Sequence, residues 1–260
     1  MPSRFSISNW QLPKGVTHGT WDYVRGNQIA DDYDDFLDGN PLHEWESEIL
    51  ESVFPAPPTG EQPIIADFGA GTGRSLLPLV SRGYRGLAID LSLPMLRRLK
   101  AKGDAMSLTP SRIMSIRANL VELDGIMDDV CDHGVCLFST LGMICGHHLR
   151  ADFLGNCRRI IRPGGKFVVH AHNYWNQLTH AGGFRWAAQN LWRAIRGHEE
   201  IGDRESDYRG VKNMFIHSYR RNELSSALQQ AGFKIAEVYK FLPEVASGRK
   251  PCVGWIIVCH

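Results

Sequence analysis

The chain has 260 residues, 43% of them hydrophobic and 22% charged, with a formal net charge of +1. That length buries one substantial core, and the near-zero charge gives no global field to favour nucleic acid or an anionic membrane as partner. The six cysteines, at 131, 136, 145, 157, 252 and 259, contain no Cys-x-x-Cys pair, and no charged-then-apolar leader opens the chain; reduced thiols, no metal site and a cytoplasmic location are expected. No apolar run approaches the ~20 residues of a membrane span, so no membrane partner is expected.

Taken in order, residues 1–60 read as an N-terminal arm followed by covering helices, and 61–260 as the core. Pro2, Pro13 and Gly15 mark the arm, with Trp10 as its anchor. Between Thr20 and Gly39, Ile29, Tyr33, Phe36 and Leu37 fall at helical spacing and predict one amphipathic helix with an acidic outer face. Pro41 to Phe54 predicts a second, with Leu42, Trp45, Ile49, Leu50 and Val53 inward and Glu44, Glu46, Glu48 and Glu51 on a solvated face.

Ile64 to Phe68 then reads as a buried strand, and Asp67 precedes a Gly69-x-Gly71-x-Gly73 turn that leads into a helix over Ser75 to Val80. Glycines let backbone approach a ligand closely. The carboxylate two residues before the first glycine argues against a pyrophosphate, which needs helix N–H groups and no fixed anion nearby. Gly86 to Asp90 is a second strand, and its carboxylate, 23 positions after Asp67, is placed to accept hydrogen bonds from two ribose hydroxyls.

Ser92 caps a helix over Leu93 to Lys102, which Gly103 ends. Ile113 to Arg117 and Gly134 to Phe138 are the third and fourth strands, with Ser139 to Ile144 at the carboxyl edge where open α/β sheets bind ligands. A helix over Asp152 to Arg162 turns at Pro163-Gly164-Gly165 into a fifth strand through His170. Ser218 to Gly232 is the last helix, with Asn222 as cap, and Phe233 to Tyr239 and Val253 to Val258 are the last strands. Ala171 to His217 is too long for a simple connection; its Arg185, Arg193, Arg196, Arg204 and Arg209 alternate with Glu199, Glu200, Asp203, Glu205 and Asp207, so no basic stripe forms.

The run Asp67-Phe68-Gly69-Ala70-Gly71-Thr72-Gly73 resembles the first motif of the class I S-adenosylmethionine-dependent methyltransferases, and Pro163-Gly164-Gly165 before a strand resembles a late motif of that family. The resemblance implies an α/β fold: a Rossmann-like seven-stranded, mostly parallel sheet with helices on both faces and an antiparallel last strand between the fifth and sixth. It implies S-adenosylmethionine as cofactor and S-adenosylhomocysteine as product, held by Asp67, Gly69, Ala70, Gly71, Gly73, Asp90, Leu91, Leu120 and Phe138. Asn119 stands where the family often has an acid for the adenine amino group, and Tyr33-Asp34 resembles the Tyr-Asp element of a cofactor-covering helix. The insertion 171–217 corresponds to a substrate lid.

The implied reaction is methyl transfer to a small-molecule acceptor by in-line displacement. A histidine near neutral pKa suits a general base, so His172, His170 and Tyr208 are the catalytic candidates, and Ser139, Thr140, Asn173, Tyr174 and His217 the acceptor-side ones. His170 to Tyr174 is faintly similar to the acceptor segment of glycine and sarcosine N-methyltransferases, but His172 replaces the arginine there and argues against glycine. An RNA (tRNA) methyltransferase and a non-catalytic S-adenosylmethionine-binding protein are the alternatives.

Overall fold

The computed structural model describes residues 8–108, 111–180, 182–197, 201–243 and 251–260; Pro2 of the expected arm and Glu199 and Glu200 of the expected lid lie outside them, and Trp10, expected to anchor the arm, is exposed instead. The N-terminal segment forms three short helices, α1 (His18–Arg25), α2 (Asn27–Asp31) and α3 (Tyr33–Leu37), where the periodicity predicts one. Gly26 leaves the helical region at ψ 109° and Asp32 kinks the chain again at ψ 6°. Both residue types are weak helix formers. The breaks let each short helix turn an apolar side toward the same rim.

Helix α4 (Pro41–Val53) starts at Asn40, whose Oδ1 accepts from Leu42 N at 3.0 Å. Strand β1 (Ile64–Phe68), helix α5 (Leu76–Ser81) and strand β2 (Arg85–Asp90) frame the glycine turn. Helix α6 (Leu93–Ala105) is capped by Ser92, but it continues through Gly103 instead of stopping there. Gly103 is buried, with the Ile113 side chain 3.4 Å from where a Cβ would stand, so the glycine serves helix packing.

Strands β3 (Ile113–Arg117) and β4 (His133–Cys136) follow, then helix α7 (His147–Ile160), which begins before the predicted Asp152. Strand β5 (Phe167–His172) carries the chain into the insertion, made of helix α8 (Gly183–Ile195) and a hairpin of β6 (Asp203–Tyr208) and β7 (Val211–His217). Helix α9 (Arg221–Gln230) contains Asn222 inside its first turn rather than as cap; Glu223 instead reaches back to Arg220 N. Strands β8 (Ile235–Phe241) and β9 (Gly254–Cys259) close the chain.

The seven-stranded sheet has the order β3-β2-β1-β4-β5-β9-β8, and β9 runs antiparallel between β5 and β8. The last strand thus lies where the resemblance puts it. Parallel strands need both faces covered: Phe68, Phe153 and Phe167 fill one side, and Ile65, Leu76 and Val135 the other. A third cluster of Ile29, Tyr33, Leu37, Met95 and Val211 joins the N-terminal helices to β7. Gly19 of α1 lies so close to β7 that a Cβ there would stand 2.1 Å from Asn213 O. The insertion and the N-terminal helices therefore form one cap over the carboxyl edge of the sheet.

Candidate active site

Beneath that cap is a cavity walled by the β1 and β2 strand ends, the glycine turn, the segment after β4 and the N-terminal helices. Its floor follows from local backbone chemistry. Gly69, Gly71 and Gly73 have φ of 94°, 52° and 83°, a region that disfavours a side chain. A Cβ on Gly69 would stand 2.5 Å from Thr140 Cγ2, whereas one on Gly71 meets nothing within 4 Å. Asp90 holds the turn to the next strand: its Oδ2 accepts from Gly71 N at 2.8 Å and its Oδ1 from Ser92 N at 2.7 Å. Burial nevertheless raises the Asp90 carboxyl above its ordinary range, against the backbone N–H groups of Ser92, Gly71 and Leu91.

Asp67 is 2% exposed and lines the same cavity. Burial pushes its carboxyl up to about 7; Arg74 pulls the other way, while Asp90 and Glu46 add to the rise. The nearby Arg74 guanidinium is engaged with Glu46 Oε2 at 2.6 Å, and this pair is buried. Burial opposes the Glu46 charge, but Arg74 and then His170 hold its carboxyl at about 2. Glu46 Oε1 also accepts from Phe138 N at 2.9 Å. That bond anchors two successive left-handed residues, Phe138 at φ 52° and Ser139 at φ 60°. Such backbone costs of order 1–3 kcal/mol per residue and persists only where its surroundings fix it.

The covering wall is aromatic. Tyr33 meets Phe138 edge-on at 6.5 Å, and Arg74 lies over the Phe138 ring at 5.4 Å. Burial raises the Tyr23 and Tyr33 phenols well above their ordinary range, so both stay protonated at neutral pH. Asp34, beside Tyr33, accepts from Thr72 Oγ1 at 2.7 Å and pairs with Lys102 at 2.9 Å. It fastens α3 to the glycine turn and to α6.

Of the residues singled out in the sequence, Tyr33, Asp67, Gly69, Ala70, Gly71, Asp90, Leu91, Asn119, Leu120, Phe138 and Thr140 come together on this cavity. Asn119 donates its amide to Lys14 O at 3.0 Å and to Glu122 at 3.1 Å. Gly73 packs instead against Leu77 and Leu99.

The acceptor-side and catalytic candidates other than Thr140 lie off the cavity walls. Ser139 is buried and accepts from His172 N at 3.2 Å. His170 is fully buried, its Nδ1 2.9 Å from Glu46 Oε1 without hydrogen-bond alignment, and its Nε2 faces the backbone of Gly254. Burial, and then His170, lower His172 to about 3, which leaves it neutral. Asn173 caps the turn after β5 through Trp175 N and donates to Cys252 O at 2.7 Å; Tyr174 is buried beside Trp186. His217 sits between Asp203 and Glu223, 2.7 Å from each. Tyr208 packs on Tyr23 and Phe36, one layer outside the wall.

Sequence reading missed Tyr23 and Arg74 on the walls and Glu46 behind them, while Met143 falls in the segment placed at the carboxyl edge. Glu46 is a correction: it is 1% exposed, whereas Glu44, Glu48 and Glu51 are exposed as expected. The signal was present, because Glu46 lies four residues after Leu42 and three before Ile49, on the inward face.

The cavity suits a cationic nucleoside cofactor. Asp67 and Asp90 face it, Glu46 lies behind them, and Arg74, the guanidinium beside them, is committed to Glu46. The open space over Gly71 leaves room for a ligand against the turn.

Residues 66–169 match the family model described as a methyltransferase domain. No curated protein matches the chain. Among solved structures, the chain is similar to an S-adenosylmethionine-dependent methyltransferase of Methanosarcina mazei, at 20% identity over 76% of this chain and 92% of that one, with a TM-score of 0.63. It is similar to the 1,6-didemethyltoxoflavin N1-methyltransferase of Burkholderia thailandensis, with 1,6-didemethyltoxoflavin and S-adenosylhomocysteine bound, at 16% identity over 96% and 92%, TM-score 0.62. A third is a methyltransferase in complex with the Haloferax volcanii Trm112 methyltransferase activator, at 16% identity over 90% and 96%, TM-score 0.60. Sheet order and family match agree: residues 66–169 carry a methyltransferase domain, in the fold of the S-adenosylmethionine-dependent methyltransferases that the chain is similar to.

Proposed function

We propose that the chain methylates a small-molecule acceptor admitted to the aromatic end of the cavity, between Tyr23, Tyr33, Phe138 and Arg74. One observation carries this reading: the same enclosed space touches the strand-end carboxylates Asp67 and Asp90 and the aromatic side chains of the N-terminal helices. S-adenosylmethionine bound there supplies a methyl group already activated on a sulfonium for in-line attack. The protein's part is then to orient the two partners and exclude water.

Asp67 and Asp90 supply acceptors at the cofactor end. At the other end the protonated Tyr23 and Tyr33 phenols donate hydrogen bonds and do not abstract protons. Tyr208 supports that wall from outside through its contacts with Tyr23 and Phe36. His170 and His172 hold the end of β5 in this reading and do not touch the acceptor.

A small acceptor is favoured over RNA because the two hairpin arginines are held against the protein: Arg204 bonds Gln177, and Arg209 lies over Phe36 at 4.4 Å. The likeness to the didemethyltoxoflavin enzyme spans 96% of this chain, the covering helices and lid included, and agrees with that choice. The test is calorimetry with S-adenosylmethionine followed by a screen of metabolite and total-RNA fractions with methyl-labelled cofactor. Label in a small metabolite supports the proposal; label in RNA alone, or no binding of the cofactor, overturns it.

A further inference from the structure

Helix α8 is built inside out. It buries Asn190, whose Oδ1 accepts from Gly202 N at 3.0 Å and whose amide donates to Trp186 O at 2.9 Å. It exposes Phe184, Leu191, Trp192 and Ile195 at 79, 64, 53 and 76%. At about 100° per residue these four fall within one arc of roughly a third of the helix, on the side away from Asn190 and Gly183. Exposed apolar residues are ordinary when scattered, but four on one face with a polar residue buried opposite are not.

The flank of the stripe is cationic. Arg185 and Arg196 are exposed at its edge, the Arg196 guanidinium stacked 3.4 Å over the Trp192 ring. The helix carries no acid from Gly183 to Ile195; Glu199 and Glu200 follow it in the sequence. A twofold contact of this stripe with a second copy would gather the arginine edges of both helices with no carboxylate on either to meet them. An anionic bilayer surface meets both demands, since apolar side chains enter the acyl boundary while arginines stay among the phosphates.

We infer that α8 is an interfacial helix that docks the lid side of this protein on an anionic membrane surface, by Phe184, Leu191, Trp192 and Ile195 with Arg185 and Arg196. The absence of a spanning segment in the sequence bears on crossing a bilayer, not on lying against one. None of these residues lines the cavity of Asp67 and Asp90, so the test is independent of methyl transfer.

The experiment is flotation of the full chain with vesicles of equal parts phosphatidylglycerol and phosphatidylcholine, against phosphatidylcholine alone, with light scattering on the free protein. The expected result is binding to the anionic vesicles that weakens with added salt. Charge reversal, Arg185→Glu with Arg196→Glu, should lower partitioning at least about tenfold, as should Phe184→Ser with Ile195→Ser. Melting temperature should hold in both variants, because the altered side chains are exposed. Absence of vesicle binding, or binding that both double variants retain, overturns the inference. So does a dimer in solution that Phe184→Ser with Ile195→Ser dissolves, which would assign the stripe to a second copy.

Discussion

The proposed role of Asp67 as an acceptor for the cofactor makes cofactor affinity a function of pH. In the ligand-free cavity burial raises its carboxyl from an ordinary 3.8 to about 7, yet it must be ionised to face a cationic amino group. Binding below about pH 7 therefore has to expel a proton, and apparent affinity should fall by up to tenfold per pH unit. At about pH 5 the loss is roughly a hundredfold, ~2.7 kcal/mol. Above about pH 8 the cofactor's own α-amino group loses its charge, so affinity should peak slightly on the alkaline side of neutrality. Titration calorimetry in two buffers of different ionisation heat reads the proton directly: about one released near pH 6, and none released near pH 8, where recharging the cofactor's amine takes protons up instead. Asp67→Asn should bind weakly and lose the acid limb.

The same carboxyl sets a stability slope of the opposite sense. Because its folded pKa is raised, the folded state holds the proton more tightly than the unfolded chain does. The resulting stability is fully present below pH 3.8 and is lost as pH rises through about 7. Asp67→Asn should thus stabilise the ligand-free protein at about pH 8, by an amount on the order of 4 kcal/mol, and leave it unchanged at low pH. Equal dissociation constants at about pH 5.5 and pH 7.5, with no proton release, would refute the assignment of Asp67 to the cofactor's cation.

Glu46→Gln leaves the buried Arg74 without its carboxylate and should cost about 3–5 kcal/mol in urea unfolding; a loss within about 0.5 kcal/mol would mean the pair is not structural. Gly69→Ala puts a Cβ 2.5 Å from Thr140 Cγ2 at φ 94°, whereas Gly71→Ala meets nothing within 4 Å. The first should therefore lower the melting temperature sharply, and the second should fold and weaken cofactor binding; equal melting temperatures would contradict the turn geometry. At His217 burial opposes the charge, but hydrogen bonds to Asp203 and Glu223 raise its pKa above 6.5. That stabilisation is complete below 6.5 and lost as pH rises past the raised value. Hydrogen exchange in the β6–β7 hairpin should accelerate on the alkaline side in the native chain and lose that dependence in His217→Asn.

The sheet and the meeting of Asp67, the glycine turn and Asp90 on one cavity were legible because their signals are local. Asp67, the glycine turn and Asp90 lie within one strand–helix–strand unit, where neighbours in sequence are neighbours in space. The proposed acceptor end was not, because it is assembled from four separate pieces: Tyr23 on α1, Tyr33 on α3, Arg74 after the turn and Phe138 after β4. Periodicity gives which face of a helix is inward, not what waits there. It placed His170 and His172 at a strand end, but not behind Glu46 and Gly254, out of reach of the cavity. Glu46 shows the same limit from the other side. Charge type outweighed its inward position in the helical repeat, although a carboxylate on an apolar face is improbable unless a cation is buried against it. An acid in an inward register is therefore itself a signal, and here it points to Arg74 and, through Phe138 N, to the strained segment that forms the cavity wall. On that argument the residues most worth weighing in such a chain are those whose chemistry contradicts their place in the repeat, Glu46 and Asn190 alike.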